Sequence, residues 1–190
     1  MAKQYGFYVD QQHCIGCFTC QVACKDKNDL PVGIRWRRVR EFQGGDTIIE
    51  NDVFKSNVFA YWLSLACNHC EIPKCAINCP TGAMYKREED GIVLVDQDKC
   101  IGCGYCTWSC PYEAPQLSGK TVTKCNFCID LQAQGKNPAC VDACIMRVLE
   151  YGPIDEFLKK YGNVAQIKGL PDPSITKPSL VITPHKKAIE

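Results

Sequence analysis

The chain has 190 residues, 46% of them hydrophobic, and nearly balanced charge: 22 Lys and Arg against 21 Asp and Glu, net +1. That length allows one domain or two small ones with an ordinary core, and the charge balance excludes a nucleic-acid footprint or a generally basic membrane-facing surface. Sixteen cysteines narrow the class further, to a disulfide scaffold or a metal protein.

The N-terminal MAKQYGFYVDQQHC has neither a basic region followed by an apolar one nor a twin arginine. No export signal is therefore expected on this chain, and a disulfide framework is disfavoured. A short strand, YGFYV, turns at Asp-Gln into a first cysteine group, Cys14, Cys17, Cys20 and Cys24. Residues 33–65 follow, with β-branched and aromatic runs around Gly44-Gly45-Asp46, which predicts strands and a hairpin turning at those glycines. Arg35, Arg37, Arg38 and Arg40 in this segment admit three readings. They are a solvated edge whose charge blocks unwanted pairing, a docking site, or counter-charges that raise the potential of a nearby cluster. The longest apolar stretch, VFAYWLSLAC, reaches half of the about 20 residues a membrane-spanning helix needs.

The second group is Cys67, Cys70, Cys75 and Cys79. A second strand, GIVLV, leads through another Asp-Gln into the third, Cys100, Cys103, Cys106 and Cys110; the fourth is Cys125, Cys128, Cys140 and Cys144. GPIDEFLKKYG predicts a short helix starting at Pro153, with Phe157, Leu158 and Tyr161 on its packed side. The proline-rich LPDPSITKPSLVITPHKKAIE is expected to build no core and to be a loose tail or an extended strap over a partner.

The cysteines sort into these quartets without remainder, and the first and third are copies: VDQQHCIGCFTCQVAC and VDQDKCIGCGYCTWSC. C-x2-C-x2-C-x3-C is the run by which thiolates hold a cubane 4Fe–4S cluster. Three cysteines on a tight loop reach three irons, while the fourth, a helical turn on, serves a neighbouring cluster. Gly16 and Gly102 let backbone N–H groups approach the sulfurs, and Pro80 and Pro111 fix the chain direction after a fourth ligand. Zinc competes, because the fourth quartet alone would pass as a zinc ribbon. Yet zinc gains nothing from a third cysteine just after a C-x2-C pair, and that arrangement occurs twice.

Quartets two and three lie close together and form an inner two-cluster module; quartets one and four then pair across it. The fold class is α+β, with two ferredoxin-like modules, the inner inserted in the outer. Residues 1–33 and 118–152 form the outer module, 34–66 a β-hairpin insertion, 67–117 the inner module and 153–190 the short helix and a partner-binding tail. The ligand swap predicts four 4Fe–4S clusters: Cys14, Cys17, Cys20 with Cys144; Cys24 with Cys125, Cys128, Cys140; Cys67, Cys70, Cys75 with Cys110; and Cys79 with Cys100, Cys103, Cys106. Folding and metal binding should be one event.

No catalytic constellation is visible. His13, His69 and His185 have no nucleophile or orienting partner nearby in sequence, and His69, between Cys67 and Cys70, is expected to donate to a sulfur or face solvent. Trp36, Trp62 and Trp108 read as packing or interface residues. No glycine-rich loop offers a seat for flavin or nicotinamide.

With the quartets in place, NVFAYWLSLACNHCEIPKCAINCPTGAM, KCIGCGYCTWSCPYEAPQ and YGPIDEFLKKYG resemble the four-cluster electron-transfer subunit of dimethyl-sulfoxide-reductase-type molybdenum enzymes, along essentially the whole chain. The resemblance implies a molybdopterin catalytic subunit and an integral membrane subunit that oxidises quinol, with this chain as the wire between them. It implies a place at the membrane through these partners, on the outer face after export with the catalytic subunit or on the cytoplasmic face. It orders the clusters from that of Cys14, facing the catalytic subunit, through those of Cys125 and Cys67 to that of Cys100, facing the anchor. Two positions depart from the family: Ile145 follows Cys144 where Pro is common, and Glu113 replaces a common Gly. The alternatives are an electron-transfer subunit of a cytoplasmic formate dehydrogenase or hydrogenase system and, in another class, a zinc-binding interaction module.

Overall fold

The computed structural model describes residues 3–189. In chain order the elements are β1 (Tyr5–Asp10), α1 (Thr19–Lys27), β2 (Arg38–Gly44), β3 (Thr47–Glu50), β4 (Val53–Ser56), β5 (Phe59–Leu65), α2 (Lys74–Ile77), β6 (Met84–Lys86), β7 (Val93–Val95), α3 (Tyr105–Ser109), β8 (Gln116–Ser118), β9 (Thr121–Thr123), α4 (Ile129–Gln132), α5 (Ala139–Asp142), β10 (Leu149–Pro153), α6 (Ile154–Tyr161) and β11 (Leu180–Thr183). It is a mixed α and β structure of short pieces: a three-stranded sheet, β10-β1-β11, and four two-stranded ones, β2-β5, β3-β4, β6-β7 and β8-β9. Among the described residues no helix is long and apolar enough to cross a membrane.

The three-stranded sheet ties the two ends of the chain together. β1 runs antiparallel to β10, with Phe7 opposite Tyr151, and parallel to β11, with Val9 opposite Ile182. Both faces of β1 are covered, which accounts for its unbroken apolar run. Phe7 and Val9 face the main core with Leu149, Leu180 and Ile182; Tyr8 and Val181 face the other way, under Phe157 of α6. Phe127, 1% exposed, is central to that core, 4.4 Å from Phe7 between ring centroids.

Three expectations are corrected. The proline-rich C-terminal segment is not a loose tail: Pro178 and Pro184 bracket the apolar run that becomes β11, whose Val181 and Ile182 are fully buried. Proline is excluded from the interior of a ladder and tolerated at the ends of an edge strand. The insertion does not turn at Gly44-Gly45-Asp46 either. Gly45 (φ +84) bends the ribbon between β2 and β3, and the reversal is at Asn51 and Asp52, with φ of +53 and +56. Asn and Asp are the side chains that tolerate this left-handed pair in a two-residue hairpin. In α6 the packed stripe is Ile154, Phe157 and Tyr161, with Tyr161 stacked on Tyr8 at 3.6 Å, and Leu158 lies on the open flank. Pro153 is the last residue of β10 and the cap of that helix.

Candidate metal centres

The first cysteine loop leaves β1 and enters α1. Cys17 is exposed and Cys14 half-buried, while Cys20 and Cys24 sit on the buried side of α1. The second copy leaves β7 and enters α3 with the same pattern at its start: Cys103 exposed, Cys100 half-buried, Cys106 buried. Gly16 and Gly102 share φ = +66, a left-handed conformation only glycine adopts freely. A Cβ on Gly16 would lie 2.5 Å from Nε1 of Trp62, and one on Gly102 2.4 Å from the Lys120 carbonyl. The loops therefore need glycine for a reason beyond access of N–H groups to sulfur.

Each thiol of the fourth position leaves its own loop. One cavity is lined by Cys14, Cys17 and Cys20 together with Cys144, and closed by Val39, Val148 and Leu149. Another is lined by Cys100, Cys103 and Cys106 together with Cys79, under Met84 and Val122. α1 packs on α5, and there Cys24 feels the charge of Cys140 and Cys128. Cys75 likewise feels Cys67, Cys110 and Cys70. Among the described residues no three of these side chains close around one point as a single ion would require. Zinc holds its sulfurs about 2.3 Å away; thiols spread around a cavity suit a cluster.

Backbone N–H groups point at the sulfurs. Met84 donates to Cys79 (3.4 Å), Val122 to Cys100 (3.4 Å), Ala114 to Cys110 (3.5 Å) and Phe127 to Cys125 (3.4 Å). Such donors stabilise thiolate. The Thr19 hydroxyl and N–H lower the pKa of exposed Cys17. Burial acts the other way at depth: it pushes Cys24 and Cys70 up to about 12, and Cys106 up to about 11. Iron must therefore displace protons that the interior would otherwise keep on these thiols.

Two buried cations stand among the sulfurs. Arg37, 1% exposed, lies near Cys140, Cys20, Cys125 and Cys24. Lys124, 3% exposed, donates to the carbonyls of Val93 and Cys125, and its charge reaches Cys75 and Cys110. The four arginines thus separate. Arg38 and Arg40 pair with Glu113 at 3.4 and 3.0 Å on the surface, and exposed Arg35 is held through its backbone by Gln116. Glu113 has φ +54, which explains why glycine suits that position. The strain of about 1–2 kcal/mol is partly offset by the two ion pairs, exposed pairs being worth about 0–1 kcal/mol each. Sequence reasoning missed Lys124, whose one signal was its place beside Cys125.

His69 is corrected in one respect: it does not face solvent, and its Nε2 is buried without a hydrogen-bond partner among the described residues. It is fully buried, accepts the Val93 N–H on Nδ1 (3.0 Å) and packs edge-on against Phe127. Burial, with Lys124 next, holds it well below the usual histidine pKa, so it is neutral. His13 pairs with Asp10 at 2.7 Å and His185 caps a terminal turn. Trp36 donates to Thr123 and Trp62 to Glu41, while Trp108 is 82% exposed.

A family model described as a 4Fe–4S dicluster domain matches residues 58–154. The chain is 51% identical to the B subunit of the anaerobic dimethyl sulfoxide reductase of Escherichia coli (strain K12), over 97% of this chain and 91% of the relative. It belongs to the dimethyl sulfoxide reductase B-subunit family of iron–sulfur proteins. Within that family's wider circle it is 40% identical to the thiosulfate reductase electron transfer subunit of Salmonella typhi, over 82% of this chain and 79% of that one. It is 37% identical to the B subunit of the polysulfide reductase of Wolinella succinogenes, over 98% and 97%. As a member of this family it binds 4Fe–4S clusters and serves as an electron-transfer subunit of an oxidoreductase complex, not catalytic alone. The donor set fits the cofactor: sulfurs around cavities, N–H groups aimed at them and buried cations to offset their charge.

Proposed function

We propose that the chain carries four 4Fe–4S clusters on the four mixed ligand sets: Cys14, Cys17, Cys20 and Cys144; Cys24, Cys125, Cys128 and Cys140; Cys67, Cys70, Cys75 and Cys110; Cys79, Cys100, Cys103 and Cys106. The single observation that carries this reading is the pair of cavities in which three cysteines of one loop meet a fourth from a distant segment. The nested modules follow from the same exchange, supported by the pairing of β1 with β10 across the intervening chain.

The clusters supply reversible one-electron transfer; the chain's residues space them, dry them and set their charge. With clusters bound, Cys100, Cys103, Cys106 and Cys79 would hold the one that accepts electrons from a quinol-oxidising membrane anchor subunit. The Cys67 and Cys125 sets would hold the intermediate ones, and the Cys14 set the one that serves a molybdopterin catalytic subunit. Contact between neighbouring sets supports this order. Cys125 feels the charge of Cys67, and Cys20 that of Cys140. In this reading the complex lies at the membrane through its partners, on the outer face after export with the catalytic subunit or on the cytoplasmic face.

Anaerobic purification with partners tests the reading. About sixteen irons per chain are expected from four clusters of four, with no alkylatable thiol and a molybdopterin-containing large subunit. Iron near twelve would leave one set empty, and zinc without visible absorbance would end the cluster assignment. Removing the iron should abolish the fold, because buried cysteines make up much of the core.

A further inference from the structure

Arg37 stands just before β2 with its guanidinium inside the protein, 4.5 Å over the Phe7 ring. Nη1 donates to the carbonyl and hydroxyl of Ser64, at 3.3 and 3.1 Å. Nε and Nη2 are buried without a partner among the described residues. No carboxylate among those residues lies within ion-pair distance of it. A permanent cation so buried, with two idle donors and no anion, is far too costly to keep unless something compensates it. The groups around it that become anions when iron displaces their protons are cysteine sulfurs: Cys140, Cys125 and Cys24 of one proposed set, Cys20 of another. Ser64, which holds Nη1, also has its hydroxyl 3.2 Å from Cys20 Sγ.

We infer that Arg37 is the shared counter-cation of the Cys14 and Cys24 clusters, its Nε and Nη2 donating to their sulfurs and raising both reduction potentials. The inference rests on the ligand sets proposed above. Each electron a cluster takes up adds a negative charge in a medium of low dielectric, and a fixed cation alongside favours that reduced form. The Cys100 set differs: the charges that bear on its Cys106 are those of Cys100, Cys103 and Cys79, whereas Arg37 bears on Cys20 of the Cys14 set. Arg37 does no chemistry itself; it positions charge. Its effect is to make the two clusters at the proposed downstream end better acceptors than their ligands alone would make them.

The test is a redox titration followed by electron paramagnetic resonance on the anaerobically purified complex, with Arg37→Gln, Arg37→Lys, Cys20→Ser and Cys24→Ser. The cysteine variants mark which signal belongs to which cluster. If Cys20→Ser and Cys24→Ser alter the same signal, the ligand sets are wrong, whatever Arg37 does. With distinct signals, Arg37→Gln should lower two midpoint potentials, those marked by Cys20 and Cys24, and leave the other two in place. Arg37→Lys should lower the same two by less, since it keeps the charge but loses the fork of donors. Unchanged potentials at full iron content, or an equal shift of all four, would overturn the inference. Should the Gln variant lose iron, the Lys variant decides by the same two-signal criterion; loss of all clusters in both would make Arg37 a structural residue only.

Discussion

The two copies of the cysteine loop share ligands, spacing and the φ of their central glycine, yet they sit in different surroundings. Behind the first stand α1, the inserted β2-β5 ribbon with Trp62, the β1-β10-β11 sheet and Arg37. α1 has nine residues, α3 only five. The second copy rests on the β8-β9 turn through Lys120, and its outer face presents Ile101, Tyr105 and Trp108 to solvent, 66, 51 and 82% exposed. Ligand identity decides that a cluster binds. Surroundings decide what that cluster is for: both loops show apolar side chains to solvent (Ile15, Phe18 and Val22 on the first, 50, 39 and 62% exposed), but the first also has a buried arginine behind it, while the second carries the exposed tryptophan.

The largest expected effect comes from removing matched ligands. Cys17 and Cys103 are the exposed cysteines at equivalent places in the two loops. In the assembled complex, Cys103→Ser should abolish quinol-driven turnover while small artificial donors that reduce the complex downstream still support it. Cys17→Ser, at the other end, should abolish turnover with either donor. If Cys103→Ser left quinol oxidation intact, or if the two variants behaved alike in fully assembled complexes, the two ends would have to be reassigned.

Next in size is the C-terminal strand. β11 backs β1, which feeds the first loop; nothing equivalent lies behind the second among the described residues. A chain ending after Pro178 loses buried Leu180, Val181 and Ile182. At about 1.5–3 kcal/mol per side chain, that is a large part of a domain's roughly 5–15 kcal/mol. Iron should fall and the Cys14 signal should go first, the Cys100 signal last. Full iron retention would show the strand to be dispensable. Such a truncation tests the fold and cannot report on partner choice.

The glycines sharpen the contrast further. Alanine at either site costs about 1–2 kcal/mol in backbone conformation, read as faster guanidinium-induced iron release. At Gly102 the new Cβ meets backbone, which cannot step aside; at Gly16 it meets a side chain. Trp62→Leu should therefore rescue part of Gly16→Ala. No Trp62 variant should rescue Gly102→Ala, and if one did, the two loops would be supported alike.

The cofactor type was legible in the sequence because cubane binding imposes spacing: two quartets repeat C-x2-C-x2-C-x3-C, and the other eight cysteines fall into two further groups of four. What surrounds the ligands was not. Arg37 could not be told from Arg35, Arg38 and Arg40, since only the path of the chain into β2 decides which guanidinium goes inside. From its place between ligands His69 is expected to donate to a sulfur or face solvent, and what the sequence does not show is that Val93 N–H and Phe127, from segments far along the chain, bury its ring. The C-terminal prolines suggested a segment without a core. They delimit a four-residue strand, Leu180–Thr183, whose parallel partner at the other end of the chain leaves no local mark. The hairpin was foreseen as a hairpin, though its turn was set at the glycines and not at Asn51-Asp52, where two successive left-handed residues reverse the ribbon.

The smallest effect separates the tryptophans that accompany the two loops. Trp62 covers Gly16 and donates to Glu41 at 3.1 Å. Its truncation to alanine exposes the first loop and should cost on the order of 1–3 kcal/mol, seen as faster iron loss from the Cys14 cluster alone. Trp108 has no such structural duty: its nearest aromatic neighbour, Tyr105, is 6.1 Å away between centroids and itself exposed. Trp108→Ala should leave iron content and unfolding within about 0.5 kcal/mol of the parent. A large exposed aromatic near a second exposed aromatic, Tyr105, in a segment whose cluster must exchange electrons with a partner, is suited to that partner's apolar surface. The same variant should therefore weaken retention of the complex on membranes and lower quinol-driven turnover, with activity from soluble donors unchanged. Were Trp108→Ala to release iron instead, the outward-facing character assigned to the second loop would be wrong, because the side chain would be holding the cluster and not a partner.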